Sequence, residues 1–185
     1  PLLDSIDFSS DLVLPKLFKL KKSYTLNPDS FPPILLQSCA SSLSAPLSYL
    51  YNSFFSLSQL PSPWLTAIVL PLFKKGKHSL ASNYRPISLT SSCCKIMESL
   101  LSDLISDYLL SHNLLHVSQH GFQKNRSTLS NLLTSTHHWH SSLNSNKSTD
   151  VIYIDFAKAF DSVSHPKLLL KLRSYGISDT LKFHF

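Results

Sequence analysis

Val151-Ile152-Tyr153-Ile154 is a run of β-branched and aromatic residues that ends on a carboxylate, Asp155. A run of this kind has the propensity of a strand buried on both faces, and such a strand needs neighbours on either side of it. It therefore predicts long-range pairing around a central strand. A charge contributes nothing to the stability of a buried strand, so Asp155 is expected to face a cleft or a metal. The competing reading is an Asp that caps the turn that follows, as Asx-turn chemistry favours. Lys158, Phe160 and Asp161 then crowd polar and aromatic groups onto that turn, with Ser162-Val163-Ser164-His165-Pro166 behind them.

Upstream of this strand the pattern is mainly helical. Residues 9–22 predict a short helix with Leu12, Leu17 and Leu20 on one side and Pro15 in its first turn. Residues 31–59 carry Leu35, Leu36, Cys39, Leu43, Leu47, Leu50 and Phe54 at helical spacing, with an interruption expected at Pro46 and an end at Pro61 and Pro63. Trp64–Phe73 and Tyr84–Leu89 predict a hairpin whose tip holds Lys74, Lys75 and Lys77. Between Ser92 and Leu110, Ile96, Met97, Leu100, Leu101, Leu104, Ile105 and Tyr108 keep helical period, with Glu98, Asp103 and Asp107 on the wet side. Ser127 or Thr128 opens a further helix through Trp139, Ser141–Thr149 is a polar loop, and a last helix runs from about His165 to Tyr175 and ends at Gly176. Helices and strands mixed in this order predict an α+β fold.

The chain has 185 residues, with 17 Lys and Arg against 11 Asp and Glu, a net charge of +6. That excess favours a polyanionic partner, and its placement matters more than its size. Lys74, Lys75, Lys77 and Arg85 gather around the predicted hairpin, and Lys95, Lys124 and Arg126 follow it. A solvated charge run is the plainer alternative. No stretch reaches the ~20 apolar residues of a membrane span. Cys39, Cys93 and Cys94 lack the spacing of a metal knuckle and are expected to be reduced, buried thiols in an intracellular protein, in the cytoplasm or nucleus. The histidines at 112, 116 and 120 and those at 137, 138 and 140 are read as surface or RNA-facing groups and not as zinc ligands. The chain opens on Pro1 and stops at Phe185 within helical sequence, and it is expected to be a fragment.

Asp155-Phe156-Ala157-Lys158-Ala159-Phe160-Asp161-Ser162-Val163-Ser164-His165 resembles the first catalytic motif of reverse transcriptases from LINE-type (non-LTR) retrotransposons. Leu70-Pro71-Leu72-Phe73-Lys74-Lys75-Gly76, Asn83-Tyr84-Arg85-Pro86-Ile87-Ser88-Leu89-Thr90-Ser91 with Lys95, and Gln119-His120-Gly121-Phe122 with Arg126-Ser127-Thr128 resemble that family's fingers motifs in the same order. Asn27-Pro28-Asp29-Ser30-Phe31-Pro32-Pro33 is similar to the segment that precedes the fingers, with one departure: Asn27 and Ser30 stand where the family usually has glycine.

The resemblance implies the fingers and partial palm of a right-hand polymerase, helix-rich with a basic β-hairpin and a central palm strand. A helical N-terminal extension would occupy residues 1–63, fingers 64–150 and the start of the palm 151–185. It implies an RNA template, a DNA primer, deoxynucleoside triphosphates and two Mg2+ ions, with Mn2+ as a substitute; oxygen donors suit such ions. Asp155 would be a catalytic metal ligand, with the main-chain carbonyl of Phe156 beside it. Arg85, Lys95 and Arg126 would hold the triphosphate, the last of them serving triphosphate or template. Phe160 would lie under the incoming sugar and exclude a 2′-hydroxyl; without the resemblance it reads as an ordinary core ring. Gln119, Gly121 and Phe122 would meet the template. The family's later Asp-Asp pair is absent from this chain, so polymerisation by the chain alone is not expected.

Three alternatives stay open at this point. One is a transposon remnant that holds RNA or an RNA–DNA hybrid through its basic fingers without chemistry. Another, a strand-end Asp hydrolase, is disfavoured because Ala157 stands where a second Asp would be needed. The third is a dead, poorly folding pseudogene product.

Overall fold

A computed structural model describes residues 2–157, 159–178 and 181. Six α-helices and one two-stranded antiparallel sheet make a mixed architecture: α1 (Ser10–Phe18), α2 (Pro33–Ser38), α3 (Ala40–Leu57), β1 (Ile68–Phe73), β2 (Tyr84–Leu89), α4 (Ser92–Ser111), α5 (Thr128–Asn144) and α6 (His165–Ser174). The chain divides into two compact units, one holding Asp4–Ile105 and the other Leu3 with Ser106–Ile177.

The first unit owns the main core. Phe8, Val13 and Leu17 from the α1 region, Leu36 and Ala40, Leu47 and Tyr51 of α3, and Ile96, Met97, Leu100 and Leu101 of α4 form one buried cluster. Val13 and Leu17, Leu36 and Ala40, Leu47 and Tyr51, and the α4 residues Ile96, Leu100, Met97 and Leu101 recur at four residues, the spacing that lines one side of a helix. Leu12, expected on that side of α1, is exposed, and Val13 takes its place. Pro15 lies inside α1 and not in its first turn. Pro46 likewise sits within α3, and the break comes earlier, at Cys39, where φ −99° and ψ 17° depart from the helix. Tyr51 is the hub: fully buried, it meets Phe8 edge-on at 5.8 Å and Trp64 at 5.9 Å, and its hydroxyl donates to the Cys93 carbonyl at 2.9 Å.

The hairpin forms in the expected place, with Leu72 opposite Arg85 and Pro71 opposite Pro86. Counting along the ladder from the Lys74 N–H bond to the Asn83 carbonyl, the alternation of antiparallel pairs puts the two prolines at a pair that exchanges no hydrogen bonds. Neither proline costs the sheet a donor. At the tip, Gly76 has φ +95°, and a Cβ there would come within 2.6 Å of the Asn83 amide, which itself donates to Lys77 O at 2.8 Å. Only glycine fits.

The expected central strand is not formed. Residues 151–156 form no strand and have no ladder partner among the described residues, and Ile152 and Tyr153 are 84% and 85% exposed where burial on both faces was expected. β-propensity describes fitness for a paired, half-buried surface, so without neighbouring strands it produces an unpaired segment. The last helix closes as predicted: Gly176, at φ +86°, donates to Arg173 O while Ile177 donates to Leu172 O, which is a Schellman motif. No helix among the described residues is long and apolar enough to cross a membrane.

All three thiols are free, but Cys39 is exposed, against expectation, because it lies at the α2–α3 break and not on a buried helical face. Burial, with Asp29 adding to it, pushes the Cys93 thiol up to about 12. Burial, then the neighbouring Glu98, does the same to Cys94, also to about 12. At pH 8 their thiolate fractions are then roughly one part in ten thousand. A disulfide reagent is expected to titrate Cys39 quickly and the other two roughly a hundredfold more slowly until denaturant is added; three equal rates would contradict this packing.

Candidate functional site

The expected site residues fall on both units. On the first, Arg85 is the second residue of β2, exposed, and shares its sheet face with Leu72, Leu70 and Ile87. The opposite face, with Val69, Pro71, Tyr84 and Pro86, borders a shallow cleft closed at the tip by His78, whose ring stacks on Phe73 at 3.8 Å. Lys95 projects from the first turn of α4, also exposed.

That first turn is held by residues from far upstream. Ser91 precedes α4, and its Oγ accepts from the Cys94 N–H at 2.9 Å and donates to Asp29 Oδ2 at 2.7 Å. Asp29 Oδ2 also accepts from the Cys93 N–H at 3.4 Å. Asn27 completes the cap, since the Ser92 N–H must face an acceptor: with its amide oxygen toward Ser92 it accepts from that N–H at 3.2 Å and from Ser92 Oγ at 2.7 Å, and its NH2 donates to Phe31 O at 3.2 Å. Lys95 N–H takes the Ser91 carbonyl. Three of the donors that a helix start leaves orphaned, the N–H groups of Ser92, Cys93 and Cys94, are thus satisfied, and a carboxylate lies at the positive end of the helix. The enclosed Asp29 Oδ1 has no hydrogen-bond partner among the described residues, so Oδ2 and the helix dipole carry that charge.

The two departures from the family's glycines have opposite consequences here. Ser30 is held at φ +59°, a conformation costly for a side chain, whereas Asn27 is buried and bonded. Ser30→Gly relieves about 1–2 kcal/mol of backbone strain and gives back about half of it through the freer unfolded chain, for a net gain of about 0.5–1 kcal/mol. Asn27→Gly leaves the Ser92 N–H without its cap and costs about 1–3 kcal/mol. Urea unfolding of the two variants is expected to shift in opposite directions; shifts of the same sign would contradict the cap geometry.

On the second unit, a loop precedes α5. Arg126 Nη1 donates to Val117 O and to Gln119 O, and Gln119 Nε2 donates to Gly121 O at 3.3 Å. Ser127 and Ser130 make a reciprocal capping box at the start of α5, and His120 Nδ1 lies 2.8 Å from Ser130 Oγ. Arg126 is therefore engaged with the loop through one nitrogen, which leaves the rest of its guanidinium for a ligand. Gly121 is exposed with open space where a Cβ would stand, and Phe122 has φ +58° with its ring 91% exposed. An exposed aromatic held in a left-handed conformation costs about 1–3 kcal/mol, a strain that the braced loop sustains.

Asp155 lies near the end of the unpaired segment 151–156, exposed, and makes no hydrogen bond or ion pair among the described residues. Phe156 follows, also exposed. Phe160 meets Phe122 edge to face, ring centroids 5.9 Å apart at 85°. Lys158 lies outside the described residues. A free carboxylate with a main-chain carbonyl next to it offers the hard oxygens that Mg2+ takes, but only part of a ligand set. No group of three or more His, Cys, Asp or Glu among the described residues could hold a metal. Sequence reasoning missed Asp29 and the Phe122–Phe160 contact; a Pro-Asp pair between polar neighbours was the visible signal for the first, and nothing local signals the second.

Against known proteins, residues 73–184 match the family described as reverse transcriptase (RNA-dependent DNA polymerase), well over half of the chain. This chain belongs to the reverse transcriptase family. Over 128 residues, 69% of the chain, it is 30% identical to the probable RNA-directed DNA polymerase from transposon BS of Drosophila melanogaster. It is likewise 30% identical over 120 residues, 65% of the chain, to a retrovirus-related Pol polyprotein from a type-1 retrotransposable element of Popillia japonica. The RNA-directed DNA polymerase from mobile element jockey of D. melanogaster is 27% identical over 128 residues, 69% of the chain. The matched regions span 14%, 16% and 14% of those relatives' lengths. The resemblance to the N-terminal part of the reverse transcriptase domain of non-LTR retrotransposons is thereby borne out.

Proposed function

We propose that this chain is the fingers and first palm motif of an RNA-directed DNA polymerase of a non-LTR retrotransposon, with residues 1–63 as a helical extension, 64–150 as fingers and 151–185 as the start of the palm. The single observation that carries the reading is a free, exposed carboxylate, Asp155, inside the stretch that matches the family. A carboxylate in that state is available to a metal ion, as one committed to capping a turn is not.

Asp155 and the Phe156 carbonyl would hold part of a divalent-ion pair. Such ions, when bound, activate a primer 3′-hydroxyl and neutralise charge on the departing pyrophosphate. The chain's own contribution is placement and charge. Arg85 and Lys95 offer an exposed guanidinium and ammonium, without a hydrogen-bond partner among the described residues, to triphosphate oxygens, and the rest of Arg126's guanidinium serves triphosphate or template. Gln119, Gly121 and Phe122 present an open loop surface to a template strand, where a ring can stack on a base and an unbranched backbone lets a phosphate come close. Phe160 occupies the turn after Asp155 as the sugar-excluding ring. Template RNA, primer DNA and deoxynucleoside triphosphates are thus the proposed partners, inside the cell.

The sequence holds no Asp-Asp pair, so the chain alone is proposed not to polymerise. The exposed apolar run at Val151–Ile154 supports this, since it awaits strand partners. The second reading, an RNA-binding remnant, is favoured by the basic hairpin tip, which needs no acids to bind a phosphate backbone. RNA-templated primer extension, by the chain alone and joined to its natural downstream sequence, separates the two: the joined protein extends under the first reading and binds without extending under the second.

A further inference from the structure

Phe122 and Phe160 come from segments 38 positions apart in sequence (160 − 122), yet their rings meet edge to face at 5.9 Å while both stay open to solvent, 91% and 77% exposed. Neither ring is paid for by a core. An exposed phenyl on a turn can swing between rotamers, and a ring that swings cannot exclude something as small as a hydroxyl group. Phe160 is therefore a poor steric barrier by itself. What limits it is the ring of Phe122, and Phe122 in turn projects from a loop tied by Arg126 to Val117 and Gln119 and by Gln119 to Gly121. Phe122 holds that position with a left-handed backbone, φ +58°. Strain of that kind persists where the surroundings over-determine it and gathers at working sites.

We infer that Phe122 is a positioning residue for sugar discrimination: its ring buttresses Phe160, so that preference for deoxyribose over ribose belongs to the pair. This deepens the proposed function and rests on it. It also separates two uses of Phe122, since a ring that only stacks on template would affect both nucleotide types alike.

The test is the ratio of deoxynucleotide to ribonucleotide incorporation by the chain joined to its natural downstream sequence. Phe160→Val is expected to lower the ratio strongly, and Phe122→Ala to lower it roughly tenfold, over and above any loss of template stacking, which slows both nucleotide types alike and cancels in the ratio. Phe122→Tyr restores the ratio, and the double variant is no worse than Phe160→Val, as expected for two residues acting as one unit. If Phe160→Val lowers the ratio while Phe122→Ala leaves it unchanged, the inference is overturned and the polymerase reading stands. If the wild-type protein incorporates nothing, the polymerase reading fails and takes the inference with it. The contact itself is read on the chain without activity: fluorine NMR of para-fluorophenylalanine at 160 shifts on Phe122→Ala, and an unmoved resonance overturns the inference whatever the kinetics.

Discussion

Tyr51→Ala is expected to lower the unfolding free energy by about 3–5 kcal/mol, the cost typical of deleting a large buried ring. The expectation follows from where the ring sits. It is fully buried, holds Phe8 and Trp64 in edge-on and tilted contacts, and joins α3 to the first turn of α4 through the Cys93 carbonyl. Such aromatic pairs add about 0.5–1.5 kcal/mol beyond the buried area itself. Tyr51→Phe isolates the hydroxyl. It removes one hydrogen bond to a carbonyl that also has its helical partner, so it costs about 1 kcal/mol. Burial holds the Tyr51 phenol above its ordinary range, so it stays a hydrogen-bond donor through neutral pH. Urea unfolding followed by circular dichroism measures both variants. A loss under about 1 kcal/mol for Tyr51→Ala would mean that the ring is not the centre of this core.

The effect reaches the site because the same helix start carries Lys95. Tyr51, Asp29 and Asn27 converge on residues 91–94, so the region upstream of the family match, which starts at residue 73, is part of the scaffold that orients a proposed triphosphate ligand. Weakening either the ring or the cap lets that turn fray, and a cation on a fraying turn positions less well.

Elements whose pattern is local were legible in the sequence. α4 keeps a helical period over five turns, and the hairpin is bounded by turn residues with Gly76 at the position that only glycine can occupy. Where tertiary context decides, the sequence misled. Pro46 was expected to break a helix that instead runs through it, while the break came at Cys39, a residue with no breaking tendency of its own. Residues 151–154 have strand propensity without strand partners, so the propensity is present in the sequence while the strand and its burial are not. The cap on α4 joins residues 62 to 65 positions apart, and no local pattern announces such a pairing. Among the site residues, Arg85, Lys95 and Asp155 were found through motif resemblance, and their solvent-facing placement suits the roles proposed for them.

The second large effect concerns Asp155. An exposed side chain without a partner contributes little to folding, so Asp155→Ala is expected to change stability by less than about 0.5 kcal/mol. A metal anchor is a different matter, because its loss removes the charge and positioning on which phosphoryl transfer depends, at a cost of roughly a thousandfold in rate or about 4 kcal/mol of barrier. That separation of folding from chemistry distinguishes a ligand from a turn cap, whose removal would instead cost about 1 kcal/mol of stability. The most direct measurement is RNA-templated primer extension in Mg2+ by the chain joined to its natural downstream sequence, comparing wild type, Asp155→Ala and Asp150→Ala as a neighbouring control, with unfolding curves for each. The account predicts that Asp155→Ala loses extension roughly a thousandfold with its unfolding curve unmoved, while Asp150→Ala extends normally; extension by Asp155→Ala at the wild-type rate would contradict it.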